Sequence, residues 1–155
     1  MAMVRRNFIR VLGGGAIVAA GAALAVPRLD AMPATAVEGW KGPHAGERDP
    51  RRRALSWAML APNPHNMQSW LVDLKRPDEI TLHVDRERLL PETDPFGRQI
   101  VVGQGTFLEL LALALAAEGY RAEVALFPDG EFAAERIDAR PVARVRLVRD
   151  AAVRV

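Results

Sequence analysis

Ten residues between a predicted helix and a predicted strand carry an unusual density of side chains able to bind a ligand. The stretch Ala61–Trp70 reads APNPHNMQSW. Asn63 and Asn66 each offer a carboxamide with both hydrogen-bond donors and an acceptor. Pro62 and Pro64 fix the backbone φ angle, which lowers the entropy lost when the loop is ordered. The loop is therefore either a ligand-binding segment or a rigid connector whose amides satisfy its own backbone.

Other residues with catalytic or ligand-binding chemistry are scattered. His44, His65 and His83 fall in a tether, a loop and a strand without the spacing of metal ligands, so no metal site is predicted. The chain has no cysteine. The Gly-Gln-Gly sequence at Gly103–Gly105 lacks a third glycine, since Leu108 stands in its place, and close helix packing explains it better than phosphate binding. No side chain is predicted to act as a nucleophile or general base.

The elements around the loop follow from hydrophobic periodicity and from end signals. Asp49 and Pro50 suit the N-cap and first position of a helix, which Pro62 and Pro64 should end. The segments SWLVDL and EITLHVD alternate as a β-hairpin does. An apolar run from Ile100 to Ala117 predicts a long helix that is buried in the core or at an interface.

Two further strands are predicted after that helix. Gly119 suits the C′ position that ends the helix, and YRAEVALFP and RPVARVRLV follow as strands joined through a PDGE turn. The order helix, strand, strand, helix, strand, strand predicts an α+β fold with helices packed on a mainly antiparallel sheet.

Length and charge narrow the class of protein. A chain of 155 residues corresponds to one domain, and half of its residues are hydrophobic. The first 25 residues hold three of the 21 basic residues and no acidic one, which leaves 18 basic and 19 acidic residues elsewhere. That remainder contains no basic aromatic patch, so a nucleic-acid partner is not expected.

The N-terminus has the pattern of an export signal. Arg5 and Arg6 precede Asn-Phe-Ile and resemble the twin-arginine motif, and the uncharged run Val11–Val26 is short for a membrane span. Small residues offer cleavage sites after residue 25 or 36. We therefore predict a signal peptide over 1–36 (or 1–25), a linker over 37–48, and a periplasmic protein that uses the twin-arginine export machinery. An uncleaved anchoring helix is the alternative.

The loop and its surroundings resemble a known family. APNPHNMQSW is similar to the A-P-S-x-x-N-x-Q-P-W signature of nitroreductase-like flavoproteins, and especially to their Acg-like branch. The segment DPFGRQ and the long helix after it resemble a D-P-x-x-R-E segment of that branch. The resemblance covers about residues 50–127. It implies that 49–155 is the N-terminal part of a nitroreductase-like domain, an incomplete half of the longer Acg-like arrangement.

The resemblance also implies a cofactor and an activity. Asn63, Pro64 and Asn66 match loop positions that contact FMN in the family. A flavin presents an N–H between two carbonyls, which suits rigidly held carboxamides. The implied reaction passes a hydride from NAD(P)H through FMN to a nitroaromatic or quinone-like acceptor, in a homodimer or with a partner half-domain. The alternatives are a flavin-binding or flavin-sequestering module without turnover, and a truncated fragment without activity.

This sequence departs from the family pattern at three places. Asn63 stands where the family has serine, and Ser69 replaces the proline before the tryptophan. The R-x-S-x-R phosphate clamp of ordinary nitroreductases is absent from the region upstream of the loop. Arg51, Arg52 and Arg53, near a helix N-terminus, either replace that clamp or form a solvated charged face.

Overall fold

The computed structural model describes residues 32–133 and 136–155. The chain divides into two units, Met1–Glu38 and Gly39–Val155, and the site lies in the second. The predicted twin-arginine motif, the uncharged run and the first cleavage site lie outside the described residues. A 3-10 helix, Ala34–Lys41, spans the boundary that we predicted between the signal region and the linker.

The second unit has two α-helices and four strands. They are α1 (Pro50–Ala58), β1 (Trp70–Asp73), β2 (Glu79–Val84), α2 (Arg98–Ala117), β3 (Tyr120–Leu126) and β4 (Ala143–Arg149). Short 3-10 helices occur at Pro64–Asn66 and Arg86–Arg88. The predicted order of helices and strands is confirmed, and so is the α+β class.

The four strands form one antiparallel sheet in the order β1-β2-β4-β3. The predicted hairpin pairs Trp70 with Val84, and β4 lies between β2 and β3. Inward residues alternate with polar ones, as expected for an antiparallel sheet with one covered face. In β2 the residues Ile80, Leu82 and Val84 are buried while their neighbours are only partly covered. The sheet therefore presents one apolar face to the helices.

Helix α2 packs on that face and supplies the centre of the core. Phe107, Leu111 and Leu115 are at most 1% exposed. The opposite side of the helix is open, with Val102 56% exposed and Leu113 38% exposed. The helix is thus buried along one face, because a single sheet and α1 cover only that side. Helix α2 is also long and apolar enough to cross a membrane. This is weak evidence for a membrane span, because the core helix of a soluble protein passes the same test.

The ends of both helices follow their predicted caps. The Asp49 side chain accepts a hydrogen bond from the Arg51 backbone N–H at 2.9 Å, and Pro50 opens α1. Gly119 has φ +78°, a conformation that favours glycine, at the end of α2.

Helix α1 differs from the prediction in length and in its buried face. It ends at Ala58 and a turn leads to Pro62. The hydrophobic pattern of the sequence predicts an apolar stripe through Leu55, Met59 and Ala58. Ala58 is fully buried as predicted, together with Ala54, but Met59 is 41% exposed. The small side chains face the core where α1 approaches α2.

Candidate functional site

The loop between α1 and β1 has an unusual backbone. His65, Asn66 and Gln68 all have positive φ angles, between 48° and 54°. This left-handed region is disfavoured for residues with a Cβ, although asparagine and, less often, histidine enter it. Such conformations persist where surrounding contacts over-determine them, and they are frequent at functional sites. The contacts that hold this loop therefore decide how its outer side chains point.

The Asn63 side chain closes the loop from inside. Its Oδ1 accepts a hydrogen bond from the Gln68 backbone N–H at 2.8 Å, and its Nδ2 donates to the Ala61 carbonyl at 3.0 Å. Both ends of the amide are thus used on the loop backbone. For this residue the structure has the features of the rigid connector considered above.

Asn66 presents its amide outward. Its Oδ1 accepts from the Gln68 side-chain Nε2 at 3.0 Å, while its Nδ2 makes no hydrogen bond to any residue that the structure describes. From the sequence, the Gln68 side chain is a candidate to hydrogen-bond the loop backbone; in the structure it orients the Asn66 amide instead. Asn66 and the neighbouring His65 are exposed. The loop therefore holds one carboxamide in a fixed direction with its donor group available to a ligand.

Three residues of α2 support the loop. A Cβ on Gly103 would lie 3.1 Å from Pro64 Cδ, so glycine permits the close approach that we predicted for the Gly-Gln-Gly sequence. The Gln104 Nε2 donates to the Ser69 carbonyl at 2.8 Å, and Thr106 Oγ1 donates to the Pro62 carbonyl at 2.7 Å. The helix thus fixes the beginning, middle and end of the loop.

Sequence reasoning missed two of these supports. Gln104 is 1% exposed. The available signal in the sequence was a lone amide within an apolar helix, because a buried amide needs hydrogen-bond partners. Its Oε1 has no partner among the described residues. Thr106 gave no signal, because threonine on a helix often bonds its own backbone, as it also does here with Gly103.

The exit of the loop is anchored in the core. The Trp70 ring lies 4.8 Å from the Phe107 ring, centroid to centroid, so the indole anchors the exit of the loop to the core. Ser69, which replaces the family's proline, is 3% exposed and donates from Oγ to the Arg88 carbonyl at 3.0 Å. The Arg88 side chain in turn donates to the Met67 carbonyl at 3.1 Å. The hydroxyl therefore forms a cross-link that proline lacks.

Taken together, the three arginines of α1 form neither a phosphate clamp nor a solvated charged face. Arg51 pairs with Asp49 at 2.7 Å and donates to the Leu74 carbonyl, and its guanidinium lowers the pKa of the Asp49 carboxyl. Arg53 pairs with Glu118 at the end of α2, at 2.7 Å. Both residues join α1 to other elements. Arg52 alone is exposed.

Metal-ligand clusters are absent from the described part of the chain: no group of three His, Asp or Glu side chains could hold an ion there. His83 Nδ1 lies 3.1 Å from the Ala139 carbonyl. His65 is exposed in the loop and His44 lies in the segment before α1. The three histidines therefore occupy unrelated positions.

The loop suits a flavin in one respect. The Asn66 Nδ2 is a donor to which a ring carbonyl can bind, and the hydrogen bond from Gln68 to the Asn66 Oδ1 holds the amide in place. Asn63 is a support, because both ends of its amide already bond the loop. Direct contacts of Asn63, Pro64 and Asn66 with FMN remain predictions.

Comparison with known proteins agrees with the signature in the loop. The chain is 35% identical over 99 residues to "Putative NAD(P)H nitroreductase Rv3131" of Mycobacterium tuberculosis strain H37Rv, a match that covers 61% of this chain and 28% of that protein. The chain is similar to a protein named as a putative NAD(P)H nitroreductase. It is also 35% identical over 78 residues to "Putative NAD(P)H nitroreductase acg", and over 80 residues to the uncharacterized protein Rv3127, both of the same strain.

These matches cover only part of each relative. The chain spans about a quarter of the length of the curated relatives that it matches, 28% of the first and 23% of the other two. No family model matches the chain. The α+β architecture with its antiparallel sheet is consistent with a nitroreductase-like fold.

Proposed function

We propose that this chain contributes the flavin-contacting loop of an FMN-dependent NAD(P)H oxidoreductase of nitroreductase type. The observation that carries the proposal is the orientation of Asn66. Its amide donor points outward from a loop in which three residues adopt left-handed conformations and which α2 supports along its length. The similarity to proteins named as NAD(P)H nitroreductases supports the same reading.

The residues of the loop have different tasks in this proposal. Asn66 donates a hydrogen bond to the flavin ring, Pro64 gives the loop an apolar surface beside Gly103, and Asn63 holds the loop closed. FMN supplies the hydride-transfer chemistry when it is bound, and the protein supplies binding and orientation. No side chain of the loop needs to be a nucleophile or general base.

The wider proposal concerns partners and location. The electron acceptor is a nitroaromatic or quinone-like compound, and NAD(P)H is the donor. A second copy of the chain or a partner half-domain completes the flavin site. The twin-arginine pattern at Arg5 and Arg6 supports export to the periplasm, by a route that carries proteins already folded around their cofactors.

The first experiment is to titrate the purified protein with FMN and to follow the flavin spectrum and fluorescence. Asn66→Ala and Asn66→Asp should each weaken binding about tenfold, the loss of one hydrogen bond of roughly 1.4 kcal/mol. Asn66→Asp keeps the shape but replaces the donor with a carboxylate oxygen and adds a negative charge, whereas Asn66→Ala removes the donor without adding charge, so weaker binding in both variants supports the role of the N–H. Thr93→Ala, which alters an exposed polar residue outside the loop, is the control and should bind as the parent does.

Two outcomes would count against the proposal. A folded protein that takes up no FMN, alone or when concentrated enough to self-associate, contradicts flavin binding by this chain. Equal FMN affinity in the parent and both Asn66 variants contradicts the role of the loop. If FMN binds and NADH or NADPH reduces no acceptor, the chain is a flavin-binding module without turnover.

A further inference from the structure

A cleft of about 420 Å³ lies between α1, β1 and the segment that precedes α1. It is separate in its lining from the outward face of Asn66. Its apolar walls come from α1 and β1, from the residue that directly follows each of them, and from α2. These residues are Leu55, Met59, Trp70, Val72, Leu74 and Phe107. Ligand pockets in proteins commonly have such volumes and mainly apolar linings.

The segment before α1 closes one end of the cleft. The Trp57 ring occupies the space where a Cβ on Gly42 would lie, so this segment packs on α1. Further along, the Glu47 carboxylate accepts a hydrogen bond from the Asp49 backbone N–H at 2.9 Å. His44 and Glu47 thereby stand at the mouth of the cleft. The second half of the predicted linker is thus part of a wall.

The two charged side chains at the mouth, Glu47 and Arg52, differ in their hydrogen-bond partners. The carboxylate of Glu47 is used by the Asp49 N–H, whereas the Arg52 guanidinium makes no hydrogen bond or ion pair with any residue that the structure describes. Its neighbours Arg51 and Arg53 are both paired. Among the three arginines of α1, the one that lines the cleft is therefore the one with donors to spare.

We propose that this cleft binds a flat, apolar molecule that carries one anionic group. The ring system lies between the α1 and β1 side chains, against the Trp70 and Phe107 rings, which are 4.8 Å apart. The carboxylate, sulfonate or phosphate of the ligand lies at the mouth against Arg52, whose planar guanidinium suits oxyanions. This site goes beyond the proposed flavin loop and does not depend on it.

The test uses two fluorescent probes that share a ring system and differ in charge. The anion is 8-anilinonaphthalene-1-sulfonate, and the neutral partner is N-phenyl-1-naphthylamine. Fluorescence titration should give one binding site for each probe. Arg52→Gln should weaken binding of the sulfonate about tenfold and leave the neutral probe within about twofold. Arg48→Gln, which changes an exposed arginine outside the lining, should leave both affinities unchanged.

A second pair of variants tests the apolar walls. Val72→Phe fills the cleft and should weaken both probes at least tenfold. Leu71→Phe adds the same ring at the preceding residue of β1. Leu71 points to the other face of the sheet and is 52% exposed, so this variant should leave both affinities unchanged. Circular dichroism of each variant establishes that it is folded.

Three results would overturn the proposal. One is equal sulfonate binding by the parent and by Arg52→Gln. Another is unchanged binding of either probe by folded Val72→Phe. The third is displacement of the sulfonate by saturating FMN, which would make the cleft part of the flavin site. Simultaneous binding of FMN and probe supports a separate site.

Discussion

Alanine substitutions at two glycines of α2 provide a matched test of how the loop is held. Gly103 and Gly105 both lie inside the helix, where alanine is favoured over glycine by about 0.8–1.0 kcal/mol. A Cβ at Gly105 would meet nothing within 4 Å, so Gly105→Ala should raise the free energy of unfolding by about 1 kcal/mol.

At Gly103 the same gain is opposed by a collision with the loop. The added Cβ would lie 3.1 Å from Pro64 Cδ and 3.4 Å from Asn63 Cβ. Crowding of this kind costs about 1–3 kcal/mol. Gly103→Ala is therefore expected to range from neutral to about 2 kcal/mol less stable than the parent. The difference between the two variants, about 1–3 kcal/mol, reports the contact between helix and loop.

Urea unfolding followed by circular dichroism measures both variants, and thermal unfolding should show shifts of roughly 4 °C for each kcal/mol. Titration with FMN adds an independent readout, since displacement of Pro64 should weaken binding in Gly103→Ala. If Gly103→Ala stabilises the protein as much as Gly105→Ala does, the loop does not lie against α2 and the account of its support is refuted.

Three further predictions concern the core, α1 and the N-terminus. Gln104→Met should change the free energy of unfolding by less than about 1 kcal/mol, because it removes one hydrogen bond together with an unpartnered buried oxygen. Gln104→Glu should cost roughly 3 kcal/mol or more, because it buries an unpaired charge. Urea unfolding distinguishes the two variants. Asp49→Ala should cost about 1 kcal/mol at pH 7 through loss of the N-cap. The hydrogen bond from Arg51 lowers the pKa of Asp49 in the folded protein, so the carboxylate stabilises the fold above about pH 4. The stability lost in Asp49→Ala should therefore be smaller at pH 3 than at pH 7, as unfolding curves at the two pH values would show. Changing Arg5 and Arg6 to lysine should retain the full chain in the cytoplasm, as cell fractionation would show; export of this variant would contradict twin-arginine targeting.

Periodicity and end signals were sufficient for the order of elements and for the hairpin. They were insufficient for the face of α1 that is buried. Hydrophobicity pointed to Leu55, Met59 and Ala58, whereas the fully buried residues are Ala54 and Ala58, and Met59 is 41% exposed. Side-chain size, which allows the close approach of two helices, depends on a neighbour far along the chain, and a local pattern does not contain it.

The arginines of α1 show the same limit for charged residues. Arg51 and Arg53 looked alike in sequence, next to a helix N-terminus. In the fold, Arg51 reaches the backbone after β1 and Arg53 reaches Glu118, and these partners come from the tertiary structure. The loop itself could be recognised from its composition, but its division into a supporting Asn63 and an outward Asn66 depends on hydrogen bonds that sequence does not reveal.

The backbone of the loop gives the strongest physical reason to assign it more than a connecting role. His65, Asn66 and Gln68 incur of the order of 1–2 kcal/mol per residue for their left-handed conformations, with the smallest cost at Asn66. A connector between α1 and β1 would avoid this cost with glycine. The chain instead keeps side chains at these positions and supports them with Asn63, and with Gln104 beneath the exit of the loop. The direction of the Asn66 amide is the property that this arrangement maintains, so it is the property on which binding should depend.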